Sequence, residues 1–213
     1  MLFGPDGMLY VTLGEHRVPG NAQNLDVKPG KVHRIDPDGS VPAGNPFPGS
    51  TIWAFGLRNS FGSDFDPVND QLWLTDNGPS CNDEVLRLVR GANHSWGPEA
   101  TCATPPAAPG NTNRSGPTPR RQPEHFYAAT TGITGAAFCD GCGLGPEAED
   151  DLFVTSVNDG RVHQLALNSG RTDVASDDVV YDHPGAVLSM ETRPGEPIYF
   201  SDFSTIYELT LAG

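Results

Sequence analysis

One cassette recurs four times along these 213 residues, and it restricts the chain to repetitive antiparallel folds. A Gly/Pro/Asp turn leads into an apolar-aromatic run that ends in Thr or Ser. The copies are GPDGMLYVT (4–12), DPVNDQLWLT (66–75), GPEAEDDLFVT (145–155) and RPGEPIYFS (193–201). Each is followed by a block in which β-branched and long side chains alternate: GKVHRIDPDG (30–39), DEVLRLVRG (83–91), GRVHQLALNSG (160–170) and STIYELTLAG (204–213). A third element precedes the later copies: IWAFGLRNSFGSDFDP (52–67), TGITGAAFC (131–139) and GAVLSMETRPG (185–195). The order is strand, turn, strand, variable loop, strand. Short runs of Val, Ile, Leu, Tyr, Phe and Trp fenced by Gly, Pro, Asp and Asn carry the strand signature, and no 3.6-residue apolar period lasts long enough for a substantial helix.

Recurring three- and four-strand antiparallel units predict an all-β fold, a β-propeller built of four-stranded blades. A sandwich also contains many short strands, but nothing in it requires the same cassette to return. Blades take about 40–50 residues, so the chain holds about four. That number suits a four-bladed propeller or part of a larger one, and the abrupt start, MLFGPDGMLYVTLG, favours the larger parent. The expectation is one partial propeller domain over 1–213. Residues 97–123 (GPEATCATPPAAPGNTNRSGPTPRRQP) break the pattern. Their Pro and Gly density argues against a helix or central strand and predicts a long surface loop between strands.

Charge narrows the partners. Twenty-seven Asp and Glu against 13 Lys and Arg give a formal charge of −14, which repels phosphate backbones and anionic lipid surfaces. Nucleic acid is therefore excluded as a first expectation. So is a membrane span, because no apolar run approaches ~18 residues. The four cysteines, Cys81, Cys102, Cys139 and Cys142, fit two disulfides and an oxidising compartment. A Cys81–Cys102 bond would pin the Pro-rich loop, and Cys139-Asp-Gly-Cys142 could close a tight ring. A redox-active C-x-x-C, a zinc site and free thiols stay open as alternatives.

Common catalytic signatures are missing. There is no G-x-S-x-G, no Gly-rich dinucleotide or phosphate loop, and no H-x-x-x-H among the six histidines. His33 (KVHRI) and His163 (RVHQL) occupy equivalent cassette positions, so both read as blade residues before ligands. Most aspartates flank Gly or Pro and read as turn formers.

Five motifs in order over residues 3–97, namely GPDGMLYVTLGE, GKVHRIDPDGSVPAGNPF, WAFGLRNSFG, DNGPSCNDEV and GANHSWG, are more specific. Together they resemble the soluble pyrroloquinoline quinone (PQQ)-dependent sugar dehydrogenases, the glucose/sorbosone and aldose dehydrogenase family of six-bladed propellers. Beyond residue 130 the likeness fades to a general blade pattern.

The resemblance implies an oxidoreductase that oxidises aldoses at the anomeric carbon with PQQ and Ca²⁺. It implies that Arg58 and Asn59 lie beside the quinone, where a guanidinium pairs with carboxylates and stabilises a reduced, anionic cofactor. Gly78 and Pro79 match the turn whose backbone carbonyls hold Ca²⁺, an ion that prefers oxygen ligands. Asp83 and Glu84 match the acidic pair after that turn and could support it or a second cation. Glu15 stands where the family usually has Asp, and so carries a weaker catalytic, sugar-facing assignment. A secreted or periplasmic location follows from the cysteines and the family together.

Three departures accompany the match. The family's general-base histidine falls before Met1, and loss of such a base slows hydride transfer by ~10²–10⁴-fold. Little turnover is therefore expected of this chain alone. Asn158 (TSVNDG) stands where the family has Lys, and 185–192 (GAVLSMET) lacks the expected arginines. Fewer cations facing a tricarboxylate weaken its binding. The competing expectation is a non-catalytic propeller that binds carbohydrate or protein. A propeller cut between blades also exposes unpaired strand edges, which invite self-association.

Overall fold

The computed structural model describes residues 1–102 and 109–211. Residues 103–108 of the Pro-rich loop and the last two residues of the fourth cassette lie outside them. The described chain is nearly all β, as the cassette predicts. The first sheet has the order β1 (Leu2–Phe3), β2 (Leu9–Leu13), β3 (Lys31–Ile35), β4 (Ile52–Phe55). The second follows the same order with β5 (Ser60–Phe65), β6 (Leu72–Asp76), β7 (Asp83–Arg87) and β8 (His125–Tyr127). The third comprises β9 (Ile133–Phe138), β10 (Leu152–Ser156), β11 (Arg161–Leu167) and β12 (Val174–Asp182), in that order. A three-stranded sheet of β13 (Ser189–Glu191), β14 (Tyr199–Ser201) and β15 (Ile206–Glu208) completes the set. These up-and-down antiparallel sheets are the blades of a propeller-type fold.

The cassette maps onto them directly. LYVT, LWLT, LFVT and YFS become the second strand of each sheet, and KVHRI, DEVLR, RVHQLAL and IYE the third. The second strands β6 and β10 are buried along their whole length, so they read as continuous apolar runs, whereas β2 and β14 are only partly buried. The β2–β3 register is regular, from Leu9 opposite Ile35 to Leu13 opposite Lys31, whereas β3–β4, β9–β10 and β11–β12 carry register shifts.

Two details depart from the sequence reading. IWAFGLRNSFGSDF is not one element: IWAF is the outer strand β4 of one sheet, SFGSDF the inner strand β5 of the next, and GLRN the connection between them. The Pro-rich segment also contains one helical turn, α2 (Pro109–Thr112), besides α1 (Pro19–Gln23) near the start. Proline suits the first helical position because its missing N–H has no intrahelical partner there, so Pro density excludes only longer helices.

Packing divides the chain into two compact units, Met1–Ser60 with Asp76–Thr130, and Phe61–Thr75 with Thr131–Gly213. In the first, Tyr10, Val32, Ala54, Phe55, Leu57, Val85 and Leu86 are buried. Here Cys81 and Cys102 form a disulfide with Cα atoms 5.8 Å apart. His33 is held by Thr51 Oγ1 (2.8 Å) and the Lys28 carbonyl (2.9 Å), as a blade residue should be. In the second, a core gathers Phe153, Val162, Val187, Met190, Ile198 and Phe200 around the Cys139–Cys142 disulfide. His163 meets Asp177 Oδ1 at 2.6 Å on the neighbouring strand. No free cysteine occurs among the described residues, so both pairings raised by the sequence are disulfides and the zinc and free-thiol alternatives fall away.

Candidate functional site

The first unit brings Glu15, Arg58, Asn59, Gly78 and Asp83 into one hydrogen-bonded corner. Its anchor is Asp76, the last residue of β6, to which sequence reading assigned no role. One carboxylate oxygen accepts the Arg58 amide at 2.9 Å. The other accepts the Asn59 amide at 2.7 Å and the Ser60 hydroxyl at 2.9 Å. The GLRN connection is thus clamped at its backbone, which leaves the Arg58 and Asn59 side chains free to serve other partners. Burial pushes the Asp76 carboxyl up to about 6, although these three donors pull the other way.

The Arg58 guanidinium is half-buried. Its Nη1 donates to the carbonyls of Asn77 and Gly78, each at 2.7 Å, and its Cζ sits 5.5 Å from the Trp96 ring centroid. The Asn59 side chain is exposed. Glu15 joins through its backbone, its amide donating to the Arg58 carbonyl at 2.8 Å. A Cβ on Gly14 would lie 3.1 Å from that same carbonyl, so the two backbones run in close approach. The Glu15 side chain is buried, and its Oε2 has no hydrogen-bond partner in the described structure.

The Gly78 turn is held from both ends. The Gly78 amide donates to Asp83 Oδ1 at 2.8 Å, and the Cys81–Cys102 disulfide fixes the chain between them. A Cβ at Gly78 would fall on the Cys81 carbonyl, so only glycine fits this fold of the turn. Pro79 is exposed at its tip. Asp83 and Glu84 are successive strand residues and point to opposite faces. Asp83 braces the turn, whereas Glu84 reaches Thr112 Oγ1 (3.2 Å) and Asn113 Nδ2 (3.0 Å). Burial pushes the Glu84 carboxyl up to about 8, with Asp76 adding to the rise.

GANHSWG supplies Trp96 and also His94, a second residue without an earlier role. His94 is fully buried, neither ring nitrogen has a hydrogen-bond partner, and burial with the nearby Arg121 and Arg87 lowers it to about 3. The signal for Asp76 and Trp96 was their place inside DNGP and GANHSWG. Asn158 lies in the other unit, exposed in the turn after β10.

Among the described residues no three His, Cys, Asp or Glu side chains converge as a metal site. A cation at this corner would therefore depend mainly on carbonyl oxygens, which is calcium-like rather than zinc-like chemistry. The corner suits an anionic, aromatic cofactor. It presents a guanidinium over an indole, an exposed amide, and a buried N–H donor lacking a partner at Trp96 Nε1.

The fold defines the class, a propeller built of antiparallel blades. The family model for glucose/sorbosone dehydrogenase matches residues 1–203, and the chain belongs to that family. It is 27% identical to the aldose sugar dehydrogenase YliI of Escherichia coli strain K12 over 93% of its own length and 55% of that protein. The PQQ-bound aldose sugar dehydrogenase from Streptomyces coelicolor superposes with a TM-score of 0.76 at 25% identity, covering 93% of this chain and 53% of that one. The apo form of the soluble aldose sugar dehydrogenase from Escherichia coli gives 0.76 at 27% identity, over 91% and 57%. The chain spans about half the length of these relatives. No helix among the described residues is long and apolar enough to cross a membrane.

Proposed function

We propose that this chain contributes the cofactor-facing corner of a quinoprotein oxidoreductase that oxidises aldose sugars with PQQ and Ca²⁺, outside the cytoplasm. The observation that carries this reading is the backbone clamp of Asp76 on Arg58 and Asn59 beside the Gly78 turn. It fixes a cation, an amide and a set of carbonyl oxygens within one small region.

PQQ, when bound, supplies the two-electron acceptor for the sugar's anomeric C–H. Arg58 pairs with its carboxylates and stabilises negative charge gained on reduction. Asn59 offers an exposed amide for orientation. Gly78 and Pro79 would hold Ca²⁺ through carbonyls, with Asp83 keeping the turn in shape. Glu15, carrying an unpartnered buried oxygen, faces the sugar in this assignment. Glu84 lies on the opposite strand face with Thr112 and Asn113. A second cation held there would draw its carboxyl back to the ionised form.

Arg58 must leave the Gly78 carbonyl for calcium to take that oxygen. One observation thus favours a second reading, a non-catalytic carbohydrate- or protein-binding propeller: the guanidinium already satisfies the carbonyl that a metal would need. The absence of Lys at 158 and of Arg in 185–192 points the same way.

Isothermal titration of the calcium-loaded chain with PQQ, beside Arg58→Ala, separates the two. Micromolar binding that disappears in Arg58→Ala supports the quinoprotein. Calcium binding without any PQQ heat, in this chain and in longer versions, supports the binding module.

A further inference from the structure

A cavity of about 600 Å³ opens beyond the end of β7 remote from the Gly78 turn. Its lining residues Phe55 and Asn93 stand three positions before Arg58 and Trp96, and neither belongs to the corner described above. Its walls come from two segments, 89–93 and 117–122, with Phe55 beside them. Three arginines, Arg90, Arg120 and Arg121, are among its lining residues, and no Asp or Glu is. In a chain with 27 acids and 13 Lys and Arg, such a wall runs against the composition.

Two of these arginines, Arg90 and Arg120, make no internal ion pair among the described residues. Arg90 is exposed and donates through Nε only to the Gly44 carbonyl, at 3.1 Å. Arg120 is exposed and donates Nε and Nη2 to the Gly116 carbonyl, at 3.1 and 3.0 Å. Both keep further N–H donors and their full charge. Arg121 is paired with Glu124 at 2.6 Å, yet its Nε is buried with no acceptor. The wall between them is held in shape. Asn93 Nδ2 donates to the carbonyls of Ser115 (3.0 Å) and Pro117 (3.3 Å), and the Arg121 amide donates to the Asn93 carbonyl at 2.9 Å.

We propose that this cavity binds a small polyanion carrying two or more phosphate or carboxylate groups. Two unneutralised guanidiniums match two anionic groups, and the planar fork of each suits bidentate pairing with either oxyanion. The site stands apart from the quinone reading, because no residue of the Arg58 corner takes part in it.

The test is isothermal titration of the chain at low ionic strength with pyrophosphate, citrate and, as an uncharged control, glucose. One saturable site for an anion is expected, weakening as salt is raised. The double variant Arg90→Gln/Arg120→Gln should lose at least about tenfold in affinity, about 1.4 kcal/mol, because it removes two charge-assisted donors. Arg161→Gln, on β11, should leave binding unchanged. Pyrophosphate alone binding assigns phosphate, citrate alone assigns carboxylate, and both binding assigns the shared chemistry. The proposal is overturned by the absence of saturable heat with either anion. Equal affinity in the double variant, or an equal loss in Arg161→Gln, overturns it as well. Should the double variant melt differently, Arg120→Gln alone gives the same reading.

Discussion

Arg58 Nη1 lies 2.7 Å from the carbonyl oxygen of Gly78, so the two groups on which cofactor and metal binding would depend are bonded to each other. A cation and a guanidinium cannot share that oxygen at contact distance without strong repulsion. Calcium alone must therefore displace Arg58, whereas calcium with an anionic quinone gives Arg58 a new partner. Arg58→Ala is expected to tighten binding of calcium alone by at least about tenfold while abolishing the response to PQQ. Weaker calcium binding in the variant would show that the ion does not use Gly78.

Asp76 accepts three hydrogen bonds from a single connection, and the cost of removing it follows from the donors left behind. Asp76→Ala should cost about 2–4 kcal/mol in urea unfolding, because the part-buried amides of residues 58 and 59 and the Ser60 hydroxyl lose their acceptor. Ser60→Ala, which removes one of the three, should cost about 1 kcal/mol. Asp76→Asn retains an acceptor oxygen and should fall between them. Equal losses for all three would mean that the clamp is not what holds GLRN.

The two disulfides should differ in their contribution. Cys81–Cys102 closes a loop with a sequence separation of 21, and Cys139–Cys142 one of 3. Loop-closure entropy assigns about 3 kcal/mol to the first and about 2 kcal/mol to the second. Cys102→Ser should lower stability more than Cys142→Ser. It should also disturb the Gly78 turn, visible as a changed calcium titration. Cys142→Ser should leave that titration intact.

His94 gives a pH dependence whose sign can be worked out. Its ordinary value is 6.5, and burial lowers it to about 3 in the folded chain. Between those values the unfolded chain binds a proton that the folded chain refuses. Stability from this group is therefore complete above 6.5 and declines as pH falls toward 3. From pH 7 to pH 5 the expected loss is about 2 kcal/mol. His94→Phe should remove that part of the decline. Parallel stability–pH curves for the two proteins would show that His94 is protonated when folded.

Much of the fold was legible because the signal was local. LYVT, LWLT, LFVT and YFS announce buried strands through apolar runs bounded by turn residues, and each became the second strand of its sheet. The outer strands β8 and β12 gave no such signal. β12 reads VASDDVVYD and is largely exposed, so nothing in its composition separates it from a loop. IWAFGLRNSFGSDF looked like one element because both halves are apolar. Only pairing shows that β4 and β5 belong to different sheets.

The sequence by itself determined the repeating antiparallel architecture and the order of five family motifs, because turn chemistry, strand period and residue type are properties of short segments. What holds those motifs in place required the tertiary structure. Asp76 and Arg58 are 18 positions apart, and their bond exists because a strand end returns beside a connection. Asp83 and Glu84 are neighbours in sequence with unrelated roles, since adjacent strand residues face opposite sides. The arginine-lined cavity arises from segments 89–93 and 117–122, which meet only after packing. Chemistry that depends on which residues share a space is set by the fold, and a linear pattern carries no direct record of it.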